Sequence, residues 1–152
     1  MKNAILIILV FIVAQGTLAF ACSCVRPGPT VEEALQGSDF VFIGQCISGE
    51  LKKFKDTDVG ERYLVNFTFE IQKHLKGFSK SEKVVVETGI GFGDCGVPFR
   101  LGVSYLVYGH FENDILVTHI CTRTRLAGFY PMRIEEKVEK ELKELNTLLE
   151  KK

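Results

Sequence analysis

The sequence predicts a mainly β domain in which five short strands form a closed antiparallel barrel, with a short N-terminal helix and a longer C-terminal helix. From residue 40 to residue 121 apolar side chains mostly recur at every second position, which is typical of half-buried strands. No helix separates these strands regularly, which favours antiparallel pairing. Five short strands in a small domain can close on themselves without free edges, as in barrels of the oligonucleotide/oligosaccharide-binding type, the OB-fold.

The chain begins with the features of a secretory signal peptide, residues 1–21. Lys2 supplies a positive charge, residues 4–14 are uninterruptedly apolar, and Ala19-Phe20-Ala21 provides the small-x-small pattern that precedes cleavage. The apolar run is short for a membrane anchor, because a spanning helix needs about 20 such residues. We therefore expect cleavage after Ala21 and one secreted domain, residues 22–152. In an exported chain, Asn66 in Asn66-Phe67-Thr68 is a potential N-glycosylation site.

Two helices and five strands are expected in the mature chain. Thr30 with Glu33 three residues on has the pattern of a capping box, which predicts a short helix. The clearest strand is residues 63–71, whose alternate side chains are apolar. The tail from Arg133 has apolar residues at helical spacing (Ile134, Val138, Leu142, Leu145 and Leu149), which favours a helix packed on the barrel wall over a partner-binding helix. The remaining strands are predicted at 40–47, 83–88, 103–110 and 114–121, with a hairpin turn at 112–114 and a long exposed loop at 52–62.

Charge and motifs exclude several classes of function. The chain has 19 Lys and Arg against 19 Asp and Glu, so no basic excess points to nucleic acid or acidic lipid. Residues 91–96 match G-x-G-x-x-G, but strand-like sequence follows, so we expect a bending loop and not a dinucleotide site. The histidines are scattered, and His119 is predicted to be a strand residue with a satisfied hydrogen bond. Since no catalytic motif is present, we expect no enzyme activity, no cofactor and no metal of its own.

All five cysteines lie after the predicted cleavage site, at positions 22, 24, 46, 95 and 121. In an exported small domain they indicate disulfides, and the odd number leaves one thiol free, modified or paired between chains. Cys22 and Cys24 are two residues apart, so in an extended segment their side chains point to the same side. A bridge between them would be strained. We therefore expect each to reach a distant partner, with Cys95 and Cys121 as the candidates.

A series of motifs in fixed order follows the cleavage site. It consists of Cys22-Ser23-Cys24-Val25, then residues 38–44, residues 67–77 ending in His74-Leu75-Lys76-Gly77, Cys95-Gly96-Val97, and a strand closing on Cys121. In these motifs the chain resembles the N-terminal inhibitory domain of the tissue inhibitors of metalloproteinases, within the netrin-like domain family. The resemblance covers roughly residues 22–125. The chain departs from the family in lacking a cysteine near Ala34 and a separate cysteine-rich C-terminal domain, and Cys46 has no counterpart.

The resemblance implies a netrin-like OB-fold, the disulfides Cys22–Cys95 and Cys24–Cys121, and a free thiol at Cys46. It also implies a monomer whose partners are zinc metalloproteases. The α-amine and carbonyl oxygen of Cys22 would chelate the catalytic zinc of the target, and Ser23 would enter the adjacent specificity pocket. The rest of the contact ridge would be formed by Cys24, Val25, Cys95, Gly96 and Val97.

Two other functions stay open. Netrin-like domains also serve as non-inhibitory extracellular protein-binding modules, and the two disulfides would then be purely structural. The second alternative is a bacterial lipoprotein anchored through Cys22, since lipidation would leave an even number of cysteines. Against it, Ala19-Phe20-Ala21 is a poor lipobox, because bulky Phe20 precedes Ala21 and no Leu stands three residues before Cys22. Membrane attachment is expected only in that case.

Overall fold

The computed structural model describes residues 22–24, 28–56, 60–77, 81–91 and 93–151; the predicted signal peptide and Val25 lie outside these ranges. Within the described residues the chain forms seven strands and two helices. They are α1 (Val31–Gly37), β1 (Phe40–Asp56), β2 (Gly60–Lys76), β3 (Lys83–Gly89), β4 (Ser104–Glu112), β5 (Ile115–Val117), β6 (Arg125–Phe129), β7 (Arg133–Ile134) and α2 (Glu136–Glu150). Neither helix in these ranges has the length and apolar character needed to cross a membrane.

The strands form one sheet in the order β1-β2-β3-β5-β4-β6-β7, and β1 also pairs with β4. The pairings therefore run in a ring through β1, β2, β3, β5 and β4. The mainly β architecture is confirmed, but the purely antiparallel pairing is wrong, because β3 and β5 pair in parallel, with Glu87 opposite Val117. An odd number of strands cannot alternate in direction all the way round a ring, so one parallel pair is unavoidable. That the ring is a closed barrel stays a prediction.

The sequence predicts several elements correctly. The capping box is confirmed, since the backbone N–H of Glu33 donates to the Thr30 hydroxyl (3.2 Å) and the backbone N–H of Thr30 donates to the Glu33 carboxylate (2.8 Å). Residues 63–71 lie within β2, and the predicted strands at 40–47, 83–88 and 103–110 correspond to β1, β3 and β4. The predicted hairpin turn is present, with φ of 48° at Asn113 and 64° at Asp114.

The predicted loop at 52–62 is wrong, because β1 and β2 continue through most of it and pair as far as Asp56 opposite Gly60. Neither strand has another neighbour here, since the β1–β4 pairing ends at Gln45 and the β2–β3 pairing begins at Leu64. A two-stranded ribbon without further neighbours needs no apolar face. The polar composition of this ribbon is therefore the same as that expected of an exposed loop.

Near the C-terminus the element limits also differ. The predicted strand at 114–121 is confirmed only at Ile115–Val117, so His119 lies in the turn-rich segment that follows and is not a strand residue. The helix expected from Arg133 begins at Glu136, because Arg133–Ile134 pairs with β6 as the short strand β7. Strands β6 and β7 were not predicted.

Two apolar clusters lie on opposite sides of β1, whose side chains alternate between them. The first cluster joins α1 and α2 to the sheet and includes Val41, Ile43, Leu106, Val138, Leu142 and Leu145. The second includes Phe40, Phe42, Cys46, Phe69, Phe99 and Tyr105. Within it the ring of Phe99 packs edge-on against Phe69 and Tyr105, with centroid distances of 4.9 and 4.8 Å. Helix α2 therefore packs on the sheet, as predicted.

Candidate functional site

Two disulfides hold residues 22–24 against the sheet. Cys22 is bonded to Cys95 and Cys24 to Cys121, with Cα–Cα distances of 5.2 and 5.4 Å. These are the pairs that the resemblance implies, and they satisfy the same-side geometry of C-x-C. The sulfur atoms of Cys22, Cys95 and Cys121 lie within 4.8 Å of one another, so the two bridges are adjacent. Bridged sulfurs are not thiolates, so this cluster is not a metal site while the bridges are intact.

Ser23 is the exposed residue of this tripeptide, whereas Cys22 and Cys24 are half-buried. This alternation is the one expected of an extended segment, in which side chains two residues apart share one side and the residue between them points to the other. The segment thus exposes the small hydroxyl side chain of Ser23, and a disulfide fixes the residue on either side of it. Little conformational entropy remains to be lost when such a segment binds a partner.

The loop that carries Cys95 is shaped by the Asp94 carboxylate. That carboxylate accepts hydrogen bonds from the backbone N–H groups of Ile90 (2.6 Å), Gly91 (2.8 Å) and Gly96 (3.1 Å). Partial burial opposes ionisation, but the hydrogen bonds from Gly96, Ile90 and Gly91 outweigh it and hold the pKa of Asp94 below its usual value. An ionised Asp94 therefore keeps the loop folded around Cys95.

Gly96 permits the close contact on which this loop depends. A Cβ at Gly96 would lie 2.2 Å from the carbonyl carbon of Gly89, so the two backbones pack directly on each other. The prediction that these glycines let the loop bend and approach closely is confirmed. Gly96 and Val97 are both buried, and the backbone N–H of Val97 donates to the Thr88 hydroxyl at 3.0 Å. The resemblance implies that both residues contact a partner directly, but their burial leaves them little surface for such contact.

The segment that carries Cys121 is tied to the same loop. The backbone N–H of Ile120 donates to the carbonyl oxygen of Cys95 at 2.9 Å, which links the two bridge-bearing segments directly. The backbone N–H of Cys121 donates to Nδ1 of His119 at 3.2 Å, so His119 has the predicted hydrogen bond although it lies outside a strand. Burial, and then the nearby ring of His110 at 5.9 Å between centroids, lower the pKa of His119.

A buried carboxylate connects this region to α2. Glu141 is 3% exposed and accepts hydrogen bonds from the Tyr108 hydroxyl (2.6 Å) and from Nε of Arg123 (2.9 Å). Nη1 of Arg125 lies 3.2 Å from the same carboxylate. Arg123 also donates to the carbonyl oxygen of Pro29 at 2.6 Å. Helix α2 thereby reaches, through Arg123, the segment that follows the N-terminal cysteines.

Glu141 was not predicted, although the sequence carries a signal for it. Val138, Leu142 and Leu145 form the predicted apolar stripe, and Glu141 falls on the same buried face of α2. A carboxylate in such a stripe indicates a buried charge that needs a cationic partner. Arg123 gives no comparable signal, because it stands in a polar turn and adopts a left-handed conformation, with φ of 71°.

Similarity to a known protein bears on the family of this chain. No family model matches the chain. A protein of Margaritifera margaritifera named NTR domain-containing protein is 27% identical over 111 residues, which cover 72% of this chain and 72% of that protein. The similarity supports a netrin-like domain at the level of the family. It does not single out the tissue inhibitors of metalloproteinases. Together with the two disulfides, a netrin-like domain is consistent with a secreted protein.

The Cys22–Cys95 bridge bears on the lipoprotein alternative. A lipid anchor on an N-terminal cysteine is a thioether and therefore uses the cysteine sulfur. In the structure that atom of Cys22 is bonded to Cys95. Lipidation and this bridge exclude each other, so the lipoprotein alternative is incompatible with the observed disulfide.

Cys46 is the free thiol among the described cysteines and takes part in neither bridge. Cys46 is fully buried in the second apolar cluster, as its spacing from Phe40 and Phe42 predicts. Burial raises the pKa of the Cys46 thiol to about 11. At neutral pH the group is protonated and behaves as a small apolar side chain, not as a nucleophile or metal ligand.

The potential glycosylation site lies within β2. Asn66 is half-buried in β2, and in the orientation that satisfies both neighbours its amide nitrogen donates to Glu87 (3.0 Å) while its oxygen accepts from Lys52 (2.6 Å). A glycan on that nitrogen would compete with the bond to Glu87. Whether Asn66 is glycosylated stays a prediction.

Proposed function

We propose that the mature chain is a secreted inhibitor of zinc metalloproteinases and acts through Cys22. One observation carries the proposal: two adjacent disulfides clamp Cys22 and Cys24 while Ser23 between them is exposed. A chain end normally frays. Two covalent bonds within three residues suit a terminus that must keep its shape while it contacts a partner. A closed five-stranded OB barrel would be the rigid frame behind it.

The proposed mechanism uses backbone atoms of Cys22. Cleavage after Ala21 would free its α-amine, which has a pKa of about 8 in model peptides and gives up its proton readily to a metal. The amine nitrogen and the carbonyl oxygen of Cys22 would then be two metal ligands supplied by one residue. A metalloproteinase keeps one position of its catalytic zinc open for water. Cys22 would occupy that position and exclude the water needed for hydrolysis.

Ser23 would enter the specificity pocket beside the metal and so determine which proteases are bound. Its small side chain fits pockets of many sizes and adds one hydroxyl for hydrogen bonding. Cys24, Val25 and the loop at Cys95 would complete the contact ridge, with Gly96 and Val97 beneath it. Because the bridges already restrict this segment, binding would cost little ordering entropy.

A second candidate function is an extracellular netrin-like binding module without inhibitory activity. The similarity to the NTR domain-containing protein supports this candidate as well as the first. The missing cysteine near Ala34 also separates the chain from the inhibitor pattern. In this case the two disulfides would be structural, and the α-amine of Cys22 would have no role.

The test is to lengthen the mature N-terminus by one alanine. The addition converts the amine of Cys22 into an amide, a poor metal ligand, and adds bulk where the metal should lie. It leaves both bridges untouched. The matched control carries the same extra alanine after Lys152. Residual activity is measured for a panel of zinc metalloproteinases, with circular dichroism confirming equal folding.

We expect the N-terminal extension to abolish inhibition and the C-terminal extension to preserve it. Ser23→Gly should change which proteases are inhibited more than whether any are inhibited, because a pocket side chain determines discrimination. Undiminished inhibition by the N-terminally extended form would exclude chelation by Cys22. If correctly processed wild type inhibits none of the panel, the non-inhibitory module is the better conclusion.

A further inference from the structure

A groove leads away from the Cys24–Cys121 bridge along β6. It consists of three depressions with volumes of about 230, 320 and 290 Å³. The first is lined by both cysteines of the bridge, and each neighbouring pair of depressions shares two lining residues. The depressions therefore form one continuous path. Its principal lining residues are Arg100, Ile120, Arg125, Leu126, Phe129 and Arg133.

The floor of this groove is unusually apolar for an exposed surface. Ile120 is 46% exposed, Leu126 42% and Phe129 53%. Exposed apolar residues are normal when they occur singly. Three of them along one concave path make a patch of the kind that marks a binding site.

The groove is also basic. Arg100 and Arg133 are exposed and form no ion pair with any described residue, and Arg125 shares Glu141 with Arg123. Glu135 is the exposed acidic residue that lines the same path. Guanidinium groups bind carboxylates in pairs of parallel hydrogen bonds. The charge pattern is therefore complementary to an acidic ligand.

We propose that this groove binds an acidic, partly apolar segment of a partner protein in an extended conformation. A bilayer surface cannot follow a concave path, and a sulfated polysaccharide would leave the apolar floor uncovered. A protein segment with carboxylates among apolar side chains satisfies both the arginines and the floor. Because the groove starts at the bridge that holds Cys24, we infer that the segment belongs to the protein contacted by the terminus, and this identification rests on the proposed function.

The groove itself is tested with a synthetic fluorescent peptide of alternating Glu and Leu, titrated with the mature chain and followed by anisotropy. The variant Arg100→Glu/Arg133→Glu reverses the charge of the two groove arginines that pair with no acidic residue in the described part of the chain. Its control, Lys83→Glu/Lys151→Glu, makes the same change of charge at exposed positions outside the groove. We expect the groove variant to bind the peptide about tenfold more weakly and the control to match wild type at physiological salt.

The partner is tested with a metalloproteinase that wild type inhibits. The groove variant should associate about tenfold more slowly at low salt, and the difference should shrink at high salt, because exposed charges are screened. The form with an extra alanine before Cys22 should lose inhibition yet retain weak, salt-sensitive binding to the same protease. Equal association rates for the groove variant and its control would overturn the protease assignment.

The two proposals fail in different ways. If wild type inhibits no protease but binds the peptide through the two arginines, the inhibitor proposal fails and the groove stands. If inhibition is intact and the groove variant binds peptide and protease like its control, the groove inference fails alone. Binding of wild type to phosphatidylserine vesicles or heparin but not to the peptide would also overturn it, in favour of a membrane or polysaccharide ligand.

Discussion

Replacing Glu141 with alanine should strongly destabilise the fold, although Glu141 is a charged residue. The change removes the acceptor of the Tyr108 hydroxyl and the anionic partner of two arginines. Tyr108 is fully buried, whereas Arg123 and Arg125 keep 23% and 33% of their side-chain surface exposed. Breaking a buried ion pair by removing one partner costs about 3–5 kcal/mol. Because water still reaches both arginines, we expect about 3 kcal/mol and a fall in Tm of about 10 °C.

The assay is urea unfolding of the disulfide-intact mature chain, with Glu144→Ala as the control. Glu144 is exposed on the same helix and makes no hydrogen bond to the described part of the network; its charge acts on Arg123 only by Coulomb attraction, so its replacement controls for lost charge and changed helix propensity. A double-mutant cycle with Arg123→Ala isolates the pairwise energy, which we expect to exceed about 1 kcal/mol, above the usual range for exposed pairs. A loss in Glu141→Ala no larger than that in Glu144→Ala would refute the reasoning.

Two further predictions concern groups away from α2. Folding lowers the pKa of His119. As the pH falls below about 6.5, the unfolded chain therefore takes up a proton at this residue before the folded chain does, and the free energy of unfolding should decrease. The decrease should level off at pH values below the pKa of His119 in the folded chain. His119→Asn, which keeps an acceptor for the Cys121 N–H but does not titrate, should lose part of this decline in urea unfolding at pH 5 to 8; an unchanged pH profile would contradict the assignment. Cys46, whose pKa burial raises to about 11, should resist iodoacetamide in the folded chain and react after unfolding. Cys46→Ala should leave the chain monomeric and cost about 1 kcal/mol, whereas a covalent wild-type dimer that this change abolishes would show an intermolecular role.

The fold was predictable where local chemistry and the final environment agree. The strand at 63–71 alternates because one face of β2 packs against the second apolar cluster through Phe67, Phe69 and Ile71, and α1 starts where its capping box predicts. The prediction failed where tertiary pairing decides. Strand β6 carries no alternation, because Gly128 adopts a φ of 95° and the register to β4 shifts between Ser104 and Tyr105. The prediction for residues 52–62 was wrong for another reason. The described residues of this range pair as a two-stranded ribbon, and that pairing requires no apolar pattern in the sequence.

The residues of the candidate site were likewise predictable only in part. Cys22, Ser23 and Cys24 were identifiable because a C-x-C at a cleavage site constrains geometry strongly. The chosen pairs came from family resemblance, since spacing alone leaves two ways to join these cysteines to Cys95 and Cys121. The supporting residues were not identifiable, because Asp94, Arg123 and Pro29 act through backbone hydrogen bonds that no periodic pattern encodes.

The packed core and the terminal geometry depend on different parts of this molecule. Neither apolar cluster contains a bridged cysteine, so the packed core does not require residues 22–24 to be in place. The bridges close sequence separations of 73 and 97 residues, for which the chain-entropy model gives about 4 to 5 kcal/mol each as an upper estimate. That energy arises largely in the unfolded chain and would be similar wherever bridges of this span were placed. Their placement on Cys22 and Cys24 is therefore not explained by stability alone. It is explained if the function of the fold is to present the N-terminus in a fixed geometry. The two bridges and the hydrogen bond from Arg123 to Pro29 maintain that geometry.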